Sequence, residues 1–376
     1  MTDQQEIIDA IALTRCCFFH PTGLIALYRQ LGSAHAIMSH RNHIREVLPE
    51  ASPRWDEAFR DMSDAMRCAE AEYAWAEAHQ VAILSMSDDR YPQRLRDCPD
   101  APLVLYYKGT ASLNQAKVIN MVGTRHCTPY GTDLIRKFII ELRQACPQVL
   151  IVSGLAYGID ICAHQQALQQ GYETVGVLAH GLDTLYPSLH RPVAEKMLAQ
   201  GGLLTEYTTA TKIDKLHFVR RNRIVAGMCD ATILVESGSK GGGLITCSIA
   251  QDYHRDVFAF PGAVGAPYSA GCNNLIRDNG AALITGAEDF IQAMGWTDDE
   301  ERQAARQQGI ERQLFPELTP EEELIVTALR SHNDLPVNVL TVRTGIPIPR
   351  LSALLFTLEM KGVIRSLAGG LQHLIG

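Results

Sequence analysis

Three glycine-bearing turns hold the residues in this sequence that could do chemistry. They are "VGTR" (122–125), "SGLAYGID" (153–160) and "ESGSKGGGLIT" (236–246), each closing a run of apolar residues. Glycine at such a corner lets backbone N–H groups approach an anion, and a helix starting behind it adds the positive end of its dipole. That is the chemistry of a phosphate cradle. The spacing is neither the dinucleotide G-x-G-x-x-G nor the P-loop G-x-x-x-x-G-K-[ST]. Close packing alone also favours glycine at a strand–helix corner. Arg125 follows Gly123 at a strand end, where a guanidinium can meet phosphate or make a structural ion pair.

A second group is "KLHFVRRNR" (215–223), which gathers cations around one phenylalanine in a chain of net charge -8. An aromatic ring among cations gives a nucleobase a face to stack on while the cations hold its phosphates. Lys215, Phe218, Arg221 and Arg223 fit that role, and Arg220 reads as part of a solvated face. Asn222 fits either a turn cap or a hydrogen bond to a base edge.

Catalysis needs a reactive group, and the same region offers His164, His180, His190, Asp160, Glu206 and Glu236. His164 lies four residues after Asp160, so the two are expected to pair on one helix face. There is no H-E-x-x-H, no G-x-S-x-G and no metal-ligand spacing. No catalytic residue, metal or cofactor is therefore expected. Cys162 and Cys247 are expected to be small core residues.

The elements that position these residues are legible in the pattern. From Val81 onward, "VAILSM", "KVINMVG", "VLIVSG", "TVGVLA", "GLLTEY", "ATILVE" and "DVFAFPG" are short β-branched runs. Most are near-continuously apolar, as parallel strands covered on both faces must be. They alternate with helical segments such as "YGTDLIRKFIIELRQACP", which predicts an α/β fold: an extended Rossmann-like, mostly parallel doubly wound sheet over 81–296. Residues 1–80 read as short helices, with Leu24, Leu27 and Leu31 on one face and "FRDMSDAMRCAEAEYAWAEAH" as a single helix. They form either a helix-hairpin-helix or SAM-like domain or a packing cap. Residues 297–317 are charged and glutamine-rich, a linker. From 318 to 376, a helix start at Thr319, Pro320, Glu321 and Glu322, further helices and a hairpin around Gly369 and Gly370 give the order of a winged helix. Its recognition helix, "IPRLSALLFTLEMKG", offers Arg350 and then mostly apolar residues, which favours a structural or regulatory role over duplex binding.

With 376 residues, two or three domains are expected. The start carries acidic residues where a signal peptide needs cations, and no stretch is apolar enough to span a bilayer. The ten cysteines include no C-x-x-C pair, so reduced thiols and a cytoplasmic location are expected. The acidic balance argues against a broad basic footprint, although a local groove can have the opposite sign.

"VGTRHCTPYG", "IVSGLAYGIDICAHQQAL", "GVLAHGLDTLYP", "GLLTEY", "FVRRNRIVAG", "GGGLITCSIA", "VFAFPG" and "SAGCNNLIRDNGAALI" occur in that order. Together they resemble the DNA-processing protein A (DprA/Smf) family over about 91–291. The resemblance implies a non-catalytic protein that binds single-stranded DNA in a basic pocket and protects it. It also implies a homodimer that helps load a RecA-type recombinase in natural transformation. Carried onto this chain, the pocket includes Gly123 and Arg125, the backbone at Ser153 and Gly154, then Lys215, Phe218, Arg221, Asn222 and Arg223, and Gly241, Gly242 and Gly243. The sequence departs from the family pattern at Val219, where proline is usual, and in the glycine run, where serine often stands. A competing class shares this kind of sheet: nucleoside-monophosphate phosphoribohydrolases, which carry P-G-G-x-G-T-x-x-E. Here Leu244 and Ile245 replace its G-T, and Ser248 stands at its glutamate.

Overall fold

The computed structural model describes residues 4–49, 51–296, 318–331, 333–361, 363–367 and 371–374. The chain forms two compact units, Met1–Trp296 and Thr297–Gly376.

In the first unit nine strands form one sheet: β1 (Ala82–Ser85), β2 (Val104–Gly109), β3 (Val118–Val122), β4 (Leu150–Ser153), β5 (Thr174–Val177), β6 (Gly201–Thr205), β7 (Ala231–Leu234), β8 (Asp256–Ala259) and β9 (Ala282–Leu283). Their order is β1-β2-β6-β5-β4-β3-β7-β8-β9. β3 to β9 run parallel, while β2 is antiparallel to both β6 and β1. The chain steps outward from β3 through β4, β5 and β6, then returns to place β7 on the other flank of β3. That reversal is the topological switch point of a doubly wound sheet, beyond whose strand ends ligands bind.

Alternation along each strand feeds two cores. Ile119 and Met121 of β3 join Phe138, Ile139 and Ile159 on one face. Val118 and Val122 join Ile224, Val225, Ala226 and Cys247 on the other. The apolar end of the Lys215–Gly227 helix is thus anchored on the sheet beside the Gly242–Asp252 helix.

The N-terminal helices Gln4–Cys16, Pro21–Leu31, Pro53–Arg60 and Ser63–Ala78 share a core with β1 and β2, through residues such as Leu13, Leu27, Leu84 and Val104. The single helix expected across 59–79 is interrupted. Asp61 is extended, and its carboxylate accepts from the Ser63 N–H at 2.9 Å, which starts a new helix there. In the second unit, Pro320–Ser331 opens with a capping box: Thr319 N–H donates to Glu322 at 2.7 Å, and Glu322 N–H to the Thr319 hydroxyl at 3.4 Å. Helices Val337–Thr344 and Ile348–Met360 follow, with Leu340, Leu351 and Leu358 in the core. Three antiparallel strands complete the winged helix. The linker and the Gly369–Gly370 turn lie outside the described residues. Arg350 is paired with Glu321 at 2.7 Å. No single helix among the described residues is long and apolar enough to cross a membrane.

His164 does not pair with Asp160. The Thr174 hydroxyl donates to Ile151 O at 2.8 Å, so it accepts from His164 Nδ1 at 2.7 Å. Nε2 then carries only a lone pair, buried without a partner. Burial, with the Arg221 charge nearby, pushes this imidazole down from 6.5 to about 3. Below pH 6.5 the unfolded chain gains a proton that the native state refuses, so stability is lost as pH falls from 6.5 toward 3. At pH 5.5 the loss is about 1.4 kcal/mol. Urea unfolding at pH 7.5 and 5.5 should show a smaller pH difference in His164→Gln; an unchanged difference would assign the acid sensitivity elsewhere.

Candidate nucleic-acid interface

The turns after β3 and β7 meet at the switch point. Thr124 N–H donates to Glu236 O at 2.7 Å, and Val235 N–H to Val122 O at 3.1 Å. Glycine is needed here for contact. A Cβ on Gly243 would lie 2.8 Å from Leu234 and 3.1 Å from Gly123 Cα, and one on Gly123 would lie 2.6 Å from Glu236 O. Gly242 is different, since a Cβ there meets nothing within 4 Å. It begins an 11-residue helix whose N-cap, Gly241, supplies no side-chain hydrogen bond. Gly242 is exposed and no side chain caps the helix that it begins, an arrangement suited to an anion.

The Lys215–Gly227 helix runs along this crevice. Asp214 caps it by accepting from Leu216 N–H at 2.7 Å. Helical spacing puts Lys215, Phe218 and Asn222 on one face. Lys215 is exposed, and Phe218 lies under the Arg125 guanidinium, 5.5 Å from its ring centroid. Asn222 Nδ2 donates to Gly242 O at 3.4 Å, so this side chain holds the glycine corner against the helix. Among the described residues, neither Arg125 nor Lys215 has a carboxylate partner. Their charges are therefore free to meet an anion, and Lys212 and Lys240 are exposed on the flanking turns.

Four of the expected site residues stand elsewhere. Arg221 points into the sheet, 4% exposed, and donates to Gly154 O at 2.5 Å and to Val177 O. Gly154 has no side chain because that guanidinium fills the space, 2.3 Å from where its Cβ would be. Ser153 is fully buried, its hydroxyl donating to Met121 O at 2.7 Å. Arg223 lies on the opposite side of the helix, paired with Glu206 and donating to Asp100 O at 2.6 Å. Arg220 also departs from a plain solvated face, since it stacks 4.4 Å over the Phe18 ring of the N-terminal helices.

Sequence reasoning missed Tyr186. Its half-exposed ring packs edge-on to Phe218 at 5.8 Å, so Arg125 and Tyr186 together hold that ring in place. The signal was an aromatic in the turn "LDTLYP" after β5, which composition alone does not direct toward the crevice. The enzyme candidates are engaged structurally. Glu236 accepts from Thr128 N–H at 2.9 Å and the Thr128 hydroxyl at 2.6 Å, and His190 Nδ1 bonds Leu155 O at 2.9 Å. Ser248 sits exposed on its helix.

Comparison with known proteins agrees with this architecture. The family model for DNA recombination-mediator protein A matches residues 82–295, and that for the DprA winged helix domain matches 311–370. Protein Smf of Escherichia coli is 31% identical over 349 residues, covering 91% of this chain and 90% of its own. The X-ray structure of DNA processing protein A from Streptococcus pneumoniae superposes with a TM-score of 0.58 at 32% identity, over 73% of this chain and 96% of that one. A structure of the Helicobacter pylori protein, described for its single-stranded DNA binding mode, gives 0.52 at 28% identity, over 57% and 95%. With both family models and a relative of nearly equal span in agreement, the chain belongs to the DNA recombination-mediator protein A (DprA/Smf) family.

Proposed function

We propose that the protein binds single-stranded DNA in the crevice between the Lys215–Gly227 helix and the turns after β3 and β7, without catalysing a reaction on it. One observation carries the reading: Arg125, with no carboxylate partner among the described residues, lies over the ring of Phe218, on a helix face that also carries exposed Lys215 and that Asn222 ties to the uncapped helix start at Gly242. The cations and N–H groups hold phosphates, and the ring supplies a sequence-tolerant stacking surface. A relative whose structure is described for single-stranded DNA binding supports it. Membership of a recombination-mediator family supports a wider role in the cytoplasm, as a homodimer that protects incoming strands and helps load a RecA-type recombinase.

Anisotropy of fluorescent oligo-dT against a duplex of equal length, at two salt concentrations, tests the binding. Single-strand affinity should fall by roughly 0.7 log units per tenfold salt for each phosphate contacted. Salt-independent binding would sink the reading. The open corner gives a sharper test. Gly242→Ala should bind within about twofold of wild type. Gly242→Glu, which places a carboxylate where a phosphate would sit, should lose about tenfold or more. Equal binding by both variants would remove the helix N-terminus from the site.

A further inference from the structure

The loops after β3, β7 and β8 leave the same edge of the sheet, because the three strands are parallel neighbours. The crevice described above uses the first two. The third, 261–269, encloses a cavity of about 470 Å³ together with Thr128 and Tyr130, at the start of the Pro129–Ala145 helix. Pro261 and Pro267 give it apolar walls, and the carboxylate in its lining, Glu236, is already engaged by Thr128. Among the described residues, none of those lining the cavity is cationic. Such a pocket suits the uncharged base of a nucleotide and not its phosphate.

The loop is braced from within the protein. Gly262 N–H donates to Asn273 Oδ1 at 3.0 Å, and Asn273 Nδ2 donates to Gly262 O at 2.9 Å. Ser237 N–H donates to Tyr268 O at 2.7 Å, which fastens this loop to the turn after β7. Half-buried Tyr268 stacks with exposed His126, their centroids 6.1 Å apart and their planes 24° from parallel. His126 directly follows Arg125, which lies over Phe218. Consecutive residues of one turn therefore touch two aromatic rings from separate elements. Exposed Tyr130 adds a third ring at the cavity, fixed by its hydroxyl donating to Pro261 O at 2.7 Å.

We propose that the cleft between Tyr130 and Tyr268 is a second nucleobase subsite, filled by another base of the single strand that stacks on Phe218. The inference rests on the function proposed above and extends the strand across the sheet edge, over the turn that carries Arg125 and His126. Successive rings taking successive bases is a sequence-tolerant way to hold a single strand. Removing the subsite costs a base contact and no phosphate contact, so affinity falls while the salt slope stays as it was.

The test uses the full chain with oligo-dT carrying 5-iododeoxyuridine, cross-linked by light and mapped by peptide, beside anisotropy with unmodified oligo-dT. Cross-links are expected at Tyr268 or Tyr130 as well as in the Lys215–Gly227 helix. Tyr268→Ala should lose about fivefold or more in affinity with an unchanged salt slope, and Tyr268→Phe should bind as wild type. Cross-links confined to the 215–227 helix overturn the proposal, as does Tyr268→Ala binding within twofold of wild type. A loss shared equally by Tyr268→Phe, or accompanied by a reduced salt slope, also overturns it, since neither fits a stacking ring. If wild type binds no oligo-dT, the function reading itself fails; binding that ignores Tyr268 sinks the subsite alone.

Discussion

Arg221→Ala is expected to lower stability by about 3–5 kcal/mol, the range for removing one partner from a buried charge cluster. The guanidinium joins the carbonyls of Gly154 and Val177, at the ends of two adjacent strands, to a helix on the sheet face. It also offsets part of the burial that pushes the Asp160 carboxyl above its usual range. Alanine leaves both carbonyls without that donor, Asp160 without its cation, and a void beside Gly154. Urea unfolding measures the loss. Arg221→Lys should recover only part of it, because one ammonium cannot reproduce the planar fork. Full stability with lost DNA binding would instead place Arg221 in the groove.

Phe218→Ala carries the second large effect, a loss of ~1–3 kcal/mol in oligo-dT binding, or roughly 5- to 150-fold. The ring is wedged between Arg125 and Tyr186, so truncation removes a stacking face and also releases the cation above it. Phe218→Leu separates the two contributions by keeping apolar packing against Tyr186 without an aromatic face. It should bind nearly as poorly as alanine if stacking dominates. Lys215→Ala, at an exposed position, should leave stability unchanged and reduce the salt slope by about 0.7. Wild-type affinity in Phe218→Ala would remove the ring from the site.

The sheet was legible because its strands are short, apolar and interrupted by helical spacing, signals that survive without tertiary information. Their direction was less so. "VAILSM" is as apolar as the parallel strands, yet it pairs antiparallel with β2 at the sheet edge, because edge placement depends on long-range pairing. The glycine corners were legible as corners, but the reason for each glycine was not. Gly123 and Gly243 exist for contact with each other, while Gly242 faces open space. The cationic run was legible as a cluster and not as three faces of a helix. Helical phase sends Lys215 and Phe218 to the crevice, Arg221 into the sheet, Arg220 to Phe18 beside the N-terminal helices, and Arg223 to Glu206 and Asp100. Charge alone does not distinguish those destinations.

That threefold division constrains how the segment can vary. Nine consecutive positions answer to an open crevice, a buried sheet end and a neighbouring helical layer. Rotating the helix by one residue would change the partner of every cation at once. A single insertion within 215–223 would therefore be far more damaging than several exchanges among exposed residues such as Leu216 and Val219. Homologous segments should tolerate point substitutions at exposed positions off the crevice face, while changes in length must be absorbed in the loop before Asp214. Recombining this helix between distant relatives would succeed only when the partners of Arg220, Arg221 and Arg223 travel with it.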